Sequence, residues 1–191
     1  MDVPLSHVIG TVAIIAIVIG ATLAYTIITT YAEANILKTQ LTQIAENISL
    51  NLVEIIALTN FGNVQTNETI MKTLNLPTDL ANRAYFIELI ADGQGYYVQT
   101  ELVVRTDITA KSSIPLNSTQ TQLIIVTNRP DTLPTTNATG TLQIRQGDQG
   151  TIQYTTLLYG GRQNIAVWGW KENSTTTWAG IGVWTPPPGG T

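Results

Sequence analysis

Cysteine is absent from the 191 residues, which excludes disulfides and thiolate metal sites and leaves the redox compartment open. Histidine occurs once, as His7 at the mouth of an apolar run. No Ser/His/Asp set can be assembled around it, and no Gly-rich phosphate cradle follows a strand. Asp92-Gly93 and Asp148-Gln149-Gly150 lack the alternating carboxylates of a calcium loop and read as hairpin turns. The sequence therefore predicts no enzyme, no metal and no cofactor. Charge is scarce as well: 12% of residues are charged and the net charge is −4. The nine Lys and Arg residues are scattered singly from Lys38 to Lys171, so no clustered cations are available to neutralise phosphates, and nucleic acid is not an expected partner.

The longest absence is of charge within one stretch. From Val3 to Ala32 there is no Asp, Glu, Lys or Arg. The run from Val8 to Ala24 meets the length of about 18 apolar residues that marks a membrane-spanning helix. No basic residue precedes it and no small-residue cleavage site ends it, so it reads as a retained anchor rather than a secretory signal; either a basic leader is removed ahead of Met1 or orientation is set another way. The first cation beyond the run is Lys38, with Glu33 nearer, which places this downstream flank outside the cell.

From Tyr31 to Asn60 the chain holds neither Gly nor Pro, so nothing breaks the helix where it leaves the lipid. Leu37, Leu41, Ile44, Ile48, Leu52 and Ile55 recur at spacings of three and four and mark one helix face. Residues 4 to 59 then read as one helix about 84 Å long at about 1.5 Å per residue. No bilayer is that thick, and the outer half is expected to bury its stripe against other copies of the chain. On this reading Ile44→Asp abolishes assembly and leaves the rest of the chain folded.

After a stop at Asn60-Phe61-Gly62, residues 61–84 are expected as a linker, with a short helix left open for Thr69–Leu74. Residues 85–185 show period-two segments between turn residues: 85–90, 96–104, 122–127, 141–145, 151–158, 165–170 and 178–184. The spacing predicts an antiparallel immunoglobulin-like β-sandwich head, so the expected class is α+β, with the helix over 1–60 and a Pro/Gly tail over 186–191. Thr makes up about a sixth of the chain, which suits exposed β surfaces. In 178–184 the two Trp and two Gly residues share one strand face, and Trp168 and Trp170 repeat the pattern on the preceding strand. They read either as covered core or as an adhesive contact patch.

Five Asn-x-Ser/Thr sequons begin at Asn47, Asn67, Asn117, Asn137 and Asn173. The last four fall in expected loops or junctions, where glycans belong if this part of the chain is exported. Asn47 borders the buried stripe.

Ser6-His7-Val8-Ile9-Gly10-Thr11-Val12-Ala13-Ile14-Ile15-Ala16-Ile17 resembles the opening of archaeal type IV pilins, in which a Ser-x-Val-Ile-Gly-Thr stretch leads a long apolar run. The likeness covers about 20 residues directly. It implies a leader peptidase that cuts ahead of the run, and an assembly machinery. The implied product is an extracellular homopolymer for surface adhesion, anchored in the membrane as the unassembled subunit. N-terminal helices would bundle at its centre and β-rich heads, often glycosylated, would face outward. Candidate contact residues in the apolar half are Val8, Gly10, Ile14, Ile17 and Gly20, with the two glycines allowing close helix approach. Archaeal flagellum filament subunits share the plan. Where many bacterial pilins carry Glu at the fifth position this chain has Leu5, which favours the archaeal branch. The competing reading from another class is a monomeric, membrane-anchored surface protein.

Overall fold

The computed structural model describes residues 5–61, 64–93, 95–115, 122–126, 135–136, 139–144 and 150–187. The expected α+β class holds: among the described residues one helix, α1 (Leu5–Phe61), is followed by strands only. They are β1 (Thr69–Thr73), β2 (Tyr85–Asp92), β3 (Gly95–Leu102), β4 (Thr109–Ile114), β5 (Gln122–Val126), β6 (Thr135–Thr136), β7 (Gly140–Ile144), β8 (Gly150–Thr155), β9 (Leu157–Tyr159), β10 (Ile165–Lys171) and β11 (Thr176–Thr185). The chain divides into two compact units, Met1–Leu37 and Lys38–Thr191. The division falls inside α1 and not at its end near residue 60, so the outer half of the helix belongs to the β-rich unit.

In that unit one sheet runs β4-β3-β2-β9, antiparallel throughout. The other holds seven strands and branches at β11. The first part of β11, Thr176–Ala179, pairs with β5 in parallel, while Ile181–Thr185 pairs antiparallel with β8. β6 extends β5, again in parallel. Parallel neighbours cannot be joined by a tight hairpin, and here the chain passes through β6 to β10 between β5 and β11.

Helix residues 41–60 meet both sheets. Thr100 of β3 donates its hydroxyl to the Leu41 carbonyl at 3.1 Å, and Ser49 donates to the Ser113 carbonyl at 2.5 Å. On the larger sheet, Gly169 of β10 gives the helix room: a Cβ there would press on the Thr59 hydroxyl and come within 2.9 Å of Ile55. Thr177 donates to the Asn60 side chain at 2.7 Å, and Lys72 pairs with Glu54 at 2.6 Å across the exposed edge. Side chains alternate across strands, so Val167, Ala179 and Ile181 share the helix side with Gly169, and all three are buried.

The opposite face of this sheet carries the aromatic residues. The outer strands β1 and β7 approach within 8 Å between Cα atoms, so the sheet curls around that face. Val126, Ile144, Ile152 and Trp168 form a buried cluster there, with Met71, Leu142, Tyr154, Trp170, Trp178 and Trp184 packed against it. Trp168 is fully buried and donates its indole N–H to the Ile181 carbonyl at 3.2 Å. Tyr154 and Trp168 lie 5.2 Å apart between ring centroids, and Trp170 and Trp178 5.9 Å. Gly180 is required where it stands, because a Cβ would meet the Trp168 ring at 2.8 Å. Trp168 is core, and Trp170, Trp178 and Trp184 are partly buried against its cluster.

Two local expectations change. Thr69–Thr73 is not a short helix but strand β1, in antiparallel register with Trp170 to Ala166 on β10. The pairing satisfies backbone groups that a single helical turn before Pro77 would leave open. Residues 151–158 are not one strand. Thr156, buried at the break, separates β8 in one sheet from β9 in the other. β4, too weakly alternating to be expected, completes the smaller sheet. The hairpins over 85–104 and 165–184 form as expected. The helix stop at Gly62, the turn at 145–149, most of the Pro/Thr-rich loop and the end of the tail lie outside the described residues.

Candidate functional site

The feature left unsatisfied in this chain is the first half of α1. Its eighteen-residue apolar window has a mean hydropathy of 2.4 and is 0% buried. Val8, Ile9, Val12, Ile14, Ile15, Ile17, Val18, Ile19 and Leu23 are all exposed by about half or more, and Ile27, Ile28, Tyr31 and Ile36 continue the surface. A helix that is apolar on every side belongs in lipid or among other helices. The hydroxyls in this stretch do not oppose such surroundings. Thr11, Thr22, Thr26 and Thr30 each donate to the carbonyl four residues earlier, at 2.8–2.9 Å. This local back-bonding gives each hydroxyl a partner without water.

Of the expected contact residues, Val8, Ile14 and Ile17 lie on this exposed surface, with Ile17 70% accessible. A Cβ added at Gly10 or Gly20 would meet nothing within 4 Å. Within the chain these glycines therefore leave small-residue notches with no packing partner.

The other expected contact residues lie elsewhere. Leu37, Leu41, Ile44, Ile48, Leu52 and Ile55 are at most 6% exposed. From Leu41 to Ile55 the stripe sits in the unit that holds both sheets, so its burial requires no second copy. The periodicity correctly marked a buried face; the surface that covers it is intramolecular. Burying each Leu or Ile contributes about 1.5–3 kcal/mol, so this stripe is a principal stabiliser of the β-rich unit. A charge at Ile44 therefore tests the fold, not assembly.

The sequons also separate. Asn47 is exposed, but Ser49, the hydroxyl residue of its sequon, is buried and bonded to Ser113. Asn67 occupies an exposed left-handed turn, φ 66°, and its N–H donates to the Lys171 carbonyl at 2.7 Å. Asn173 caps the β10–β11 turn, its Oδ1 accepting from the Thr175 N–H and hydroxyl and from the Thr176 N–H at 2.7–2.9 Å. The Lys171 contact brings the Asn67 and Asn173 turns to the same end of the sheet. Asn117 and Asn137 lie outside the described residues.

Among the described residues the buried polar side chains are mostly Ser and Thr hydroxyls, and Glu88 is the charged one. Glu88 on β2 is 3% exposed and accepts from the Gln99 amide at 3.0 Å on the neighbouring strand. Tyr85 donates to the Pro77 carbonyl at 2.6 Å. Burial, reinforced by the negative charge of Asp79, pushes its phenol up to about 12. No family model, curated protein or solved structure matches the chain.

Proposed function

We propose that this chain is a pilin: the structural subunit of an extracellular archaeal type IV pilus, a homopolymer held together by the first half of α1. The observation that carries the reading is the extent of exposed apolar surface. It runs from Val8 to Ile36, about 43 Å of helix at about 1.5 Å per residue, against a hydrocarbon core about 30 Å thick. A bilayer covers one anchor's worth of this surface and leaves the rest in contact with something else. Neighbouring copies of the same helix, approaching closely at Gly10 and Gly20, would cover all of it at once. Lipid holds the subunit before assembly; copies replace lipid in the fibre. The Ser6–Ile17 resemblance points the same way, and implies a leader peptidase, an assembly machinery, glycosylated heads and a role in surface adhesion. A subunit of an archaeal flagellum filament has the same requirements.

One observation favours the monomeric anchor. Because the Leu41–Ile55 stripe is buried by the chain's own sheets, the β-rich unit needs no partner for its stability. Electron microscopy of material sheared from the producing cells, with mass spectrometry of the same fraction, separates the two. Fibres containing this chain support the pilin; its recovery only in detergent-extracted membranes refutes the polymer.

A further inference from the structure

A cleft of about 360 Å³ lies in the β-rich unit between α1 and the segment 75–81. Its helix wall is a single stripe at three- and four-residue spacing, Gln40, Gln43, Ile44 and Asn47. The facing wall presents Asn75, Pro77 and Asp79. The carboxamides are the notable chemistry. The Gln40 Oε1 is buried and has no hydrogen-bond partner among the described residues. Gln43 and Asn75 have none among the described residues. Asn47 accepts from the Asn51 amide at 2.6 Å through its Oδ1, which leaves its own NH₂ to donate. The Gln40 oxygen is closed off from the cleft as well as from water, so the carboxamides open to a ligand are those of Gln43, Asn47 and Asn75, all three exposed.

The facing wall is held in place. The Pro77 carbonyl is tied by the Tyr85 hydroxyl, and Leu80 and Arg83 exchange backbone hydrogen bonds at 3.0 Å around a two-residue turn. Both turn residues are left-handed, Ala81 at φ 52° and Asn82 at φ 61°, and Asp79 accepts from the Asn82 N–H at 2.9 Å. Alanine is strained in that region, and the cost is tolerated only where surrounding bonds fix the backbone. The wall is thus preformed.

We propose that this cleft binds a neutral sugar residue. Carboxamides match hydroxyls because both groups donate and accept. Ile44 and Pro77 supply the apolar floor for a C–H face. The lining holds no Lys or Arg, so a phosphate or carboxylate has no counter-charge, and the one carboxylate, Asp79, opposes anions further. The sugar has two sources of the same chemistry: a glycan on a neighbouring copy of this chain, or a polysaccharide on another surface. The cleft lies wholly within the β-rich unit, so this inference stands apart from the assembly reading and does not fall with it.

The test is saturation-transfer NMR on the full chain, in a detergent without a sugar headgroup. The probes are glucose, galactose, mannose and N-acetylglucosamine, with glucuronate and inorganic phosphate as anionic controls. The expected result is transfer to at least one neutral sugar and to neither anion. Gln43→Ala and Asn75→Ala should each weaken binding about tenfold, as loss of one hydrogen bond to the ligand, with unchanged melting temperature. No transfer to any neutral sugar overturns the proposal, as does equal binding by both variants or preference for an anion. Running the chain made without glycans beside the native chain identifies the source. Sugar binding by the unglycosylated chain alone assigns the cleft to a neighbour's glycan, and binding by both assigns it to an external polysaccharide.

Discussion

The two halves of α1 are built from similar residues and have opposite fates. Between His7 and Ile36 nearly every apolar side chain is exposed, while from Leu41 to Thr59 the apolar stripe is covered. The difference lies in angular distribution. The outer half is apolar along one stripe, with Glu46, Glu54 and the Asn and Gln residues elsewhere, and a stripe needs one surface to cover it. The two sheets of the same chain supply that surface. The first half is apolar around its whole circumference, and no single side contact satisfies it. Self-burial stabilises the β-rich unit; on the reading proposed above, lipid and then other copies cover the first half.

Placing a charge in each half gives the largest effects and the sharpest contrast. Ile44→Asp puts a carboxylate on the buried stripe of the helix, where the side chain is 6% exposed, at a cost of several kcal/mol without a partner. Circular dichroism should show an unfolded or strongly destabilised β-rich unit. Ile17→Asp should leave the β signal and its melting temperature intact while blocking membrane insertion and fibre formation. A folded Ile44→Asp chain would place the stripe outside the core. Trp168→Ala belongs with the first group: emptying the buried centre of the curled sheet should cost about 3–5 kcal/mol, seen as a lower denaturant midpoint. A surface role for the tryptophans predicts almost no change.

Glycines give a finer comparison. Gly169→Ala drives a methyl against Thr59 and Ile55, and overpacking of this kind costs about 1–3 kcal/mol. Gly20→Ala meets open space within the chain and should raise helix stability by up to about 1 kcal/mol in the isolated subunit. If Gly20 forms a helix-to-helix contact, the larger Gly20→Leu should insert into membranes yet fail to polymerise. Unchanged fibres from Gly20→Leu would remove that contact.

Alkaline pH probes self-burial more gently. The folded-state pKa of Tyr85 is raised from 10.0 to about 12, first by burial and then by Asp79. Its neutral form is the one the fold favours, so its contribution is fully present below pH 10 and is lost as pH rises from there through about 12. The melting temperature should fall over that range, and Tyr85→Phe should flatten the fall. Identical alkaline profiles would mean that Tyr85 is not held in the core.

The helix was readable from the sequence over its described length, because a long apolar run, the lack of Gly and Pro from 31 to 60 and a regular apolar spacing are local signals. The identity of the surface covering Leu41, Ile48 and Leu52 was not, since periodicity records that a face is buried and not by what. The same limit hid the pairing of β5 with β11: side chains alternate alike in parallel and antiparallel strands. At Thr69–Thr73 five residues carry too little pattern to tell a helical turn from an edge strand, and the decisive contacts, to β10 and from Lys72 to Glu54, are distant in sequence. The tryptophan face was legible as a face, but the curl that closes it depends on β1 and β7 meeting. Nothing in the spacing of Gln40, Gln43 and Asn47 announced the cleft, because its facing wall lies about thirty residues further on.

The central claim is that one half of the helix serves the chain itself and the other serves its copies. A cryo-electron microscopy map of fibres sheared from the producing cells tests it most directly. The expected map has residues 8–36 packed at the fibre centre against the same segment of neighbouring copies, while Leu41, Ile48 and Leu52 stay under their own sheets. Fibres whose central contacts are made by the Leu41–Ile55 stripe, or sheared material from which this chain is absent, would contradict it.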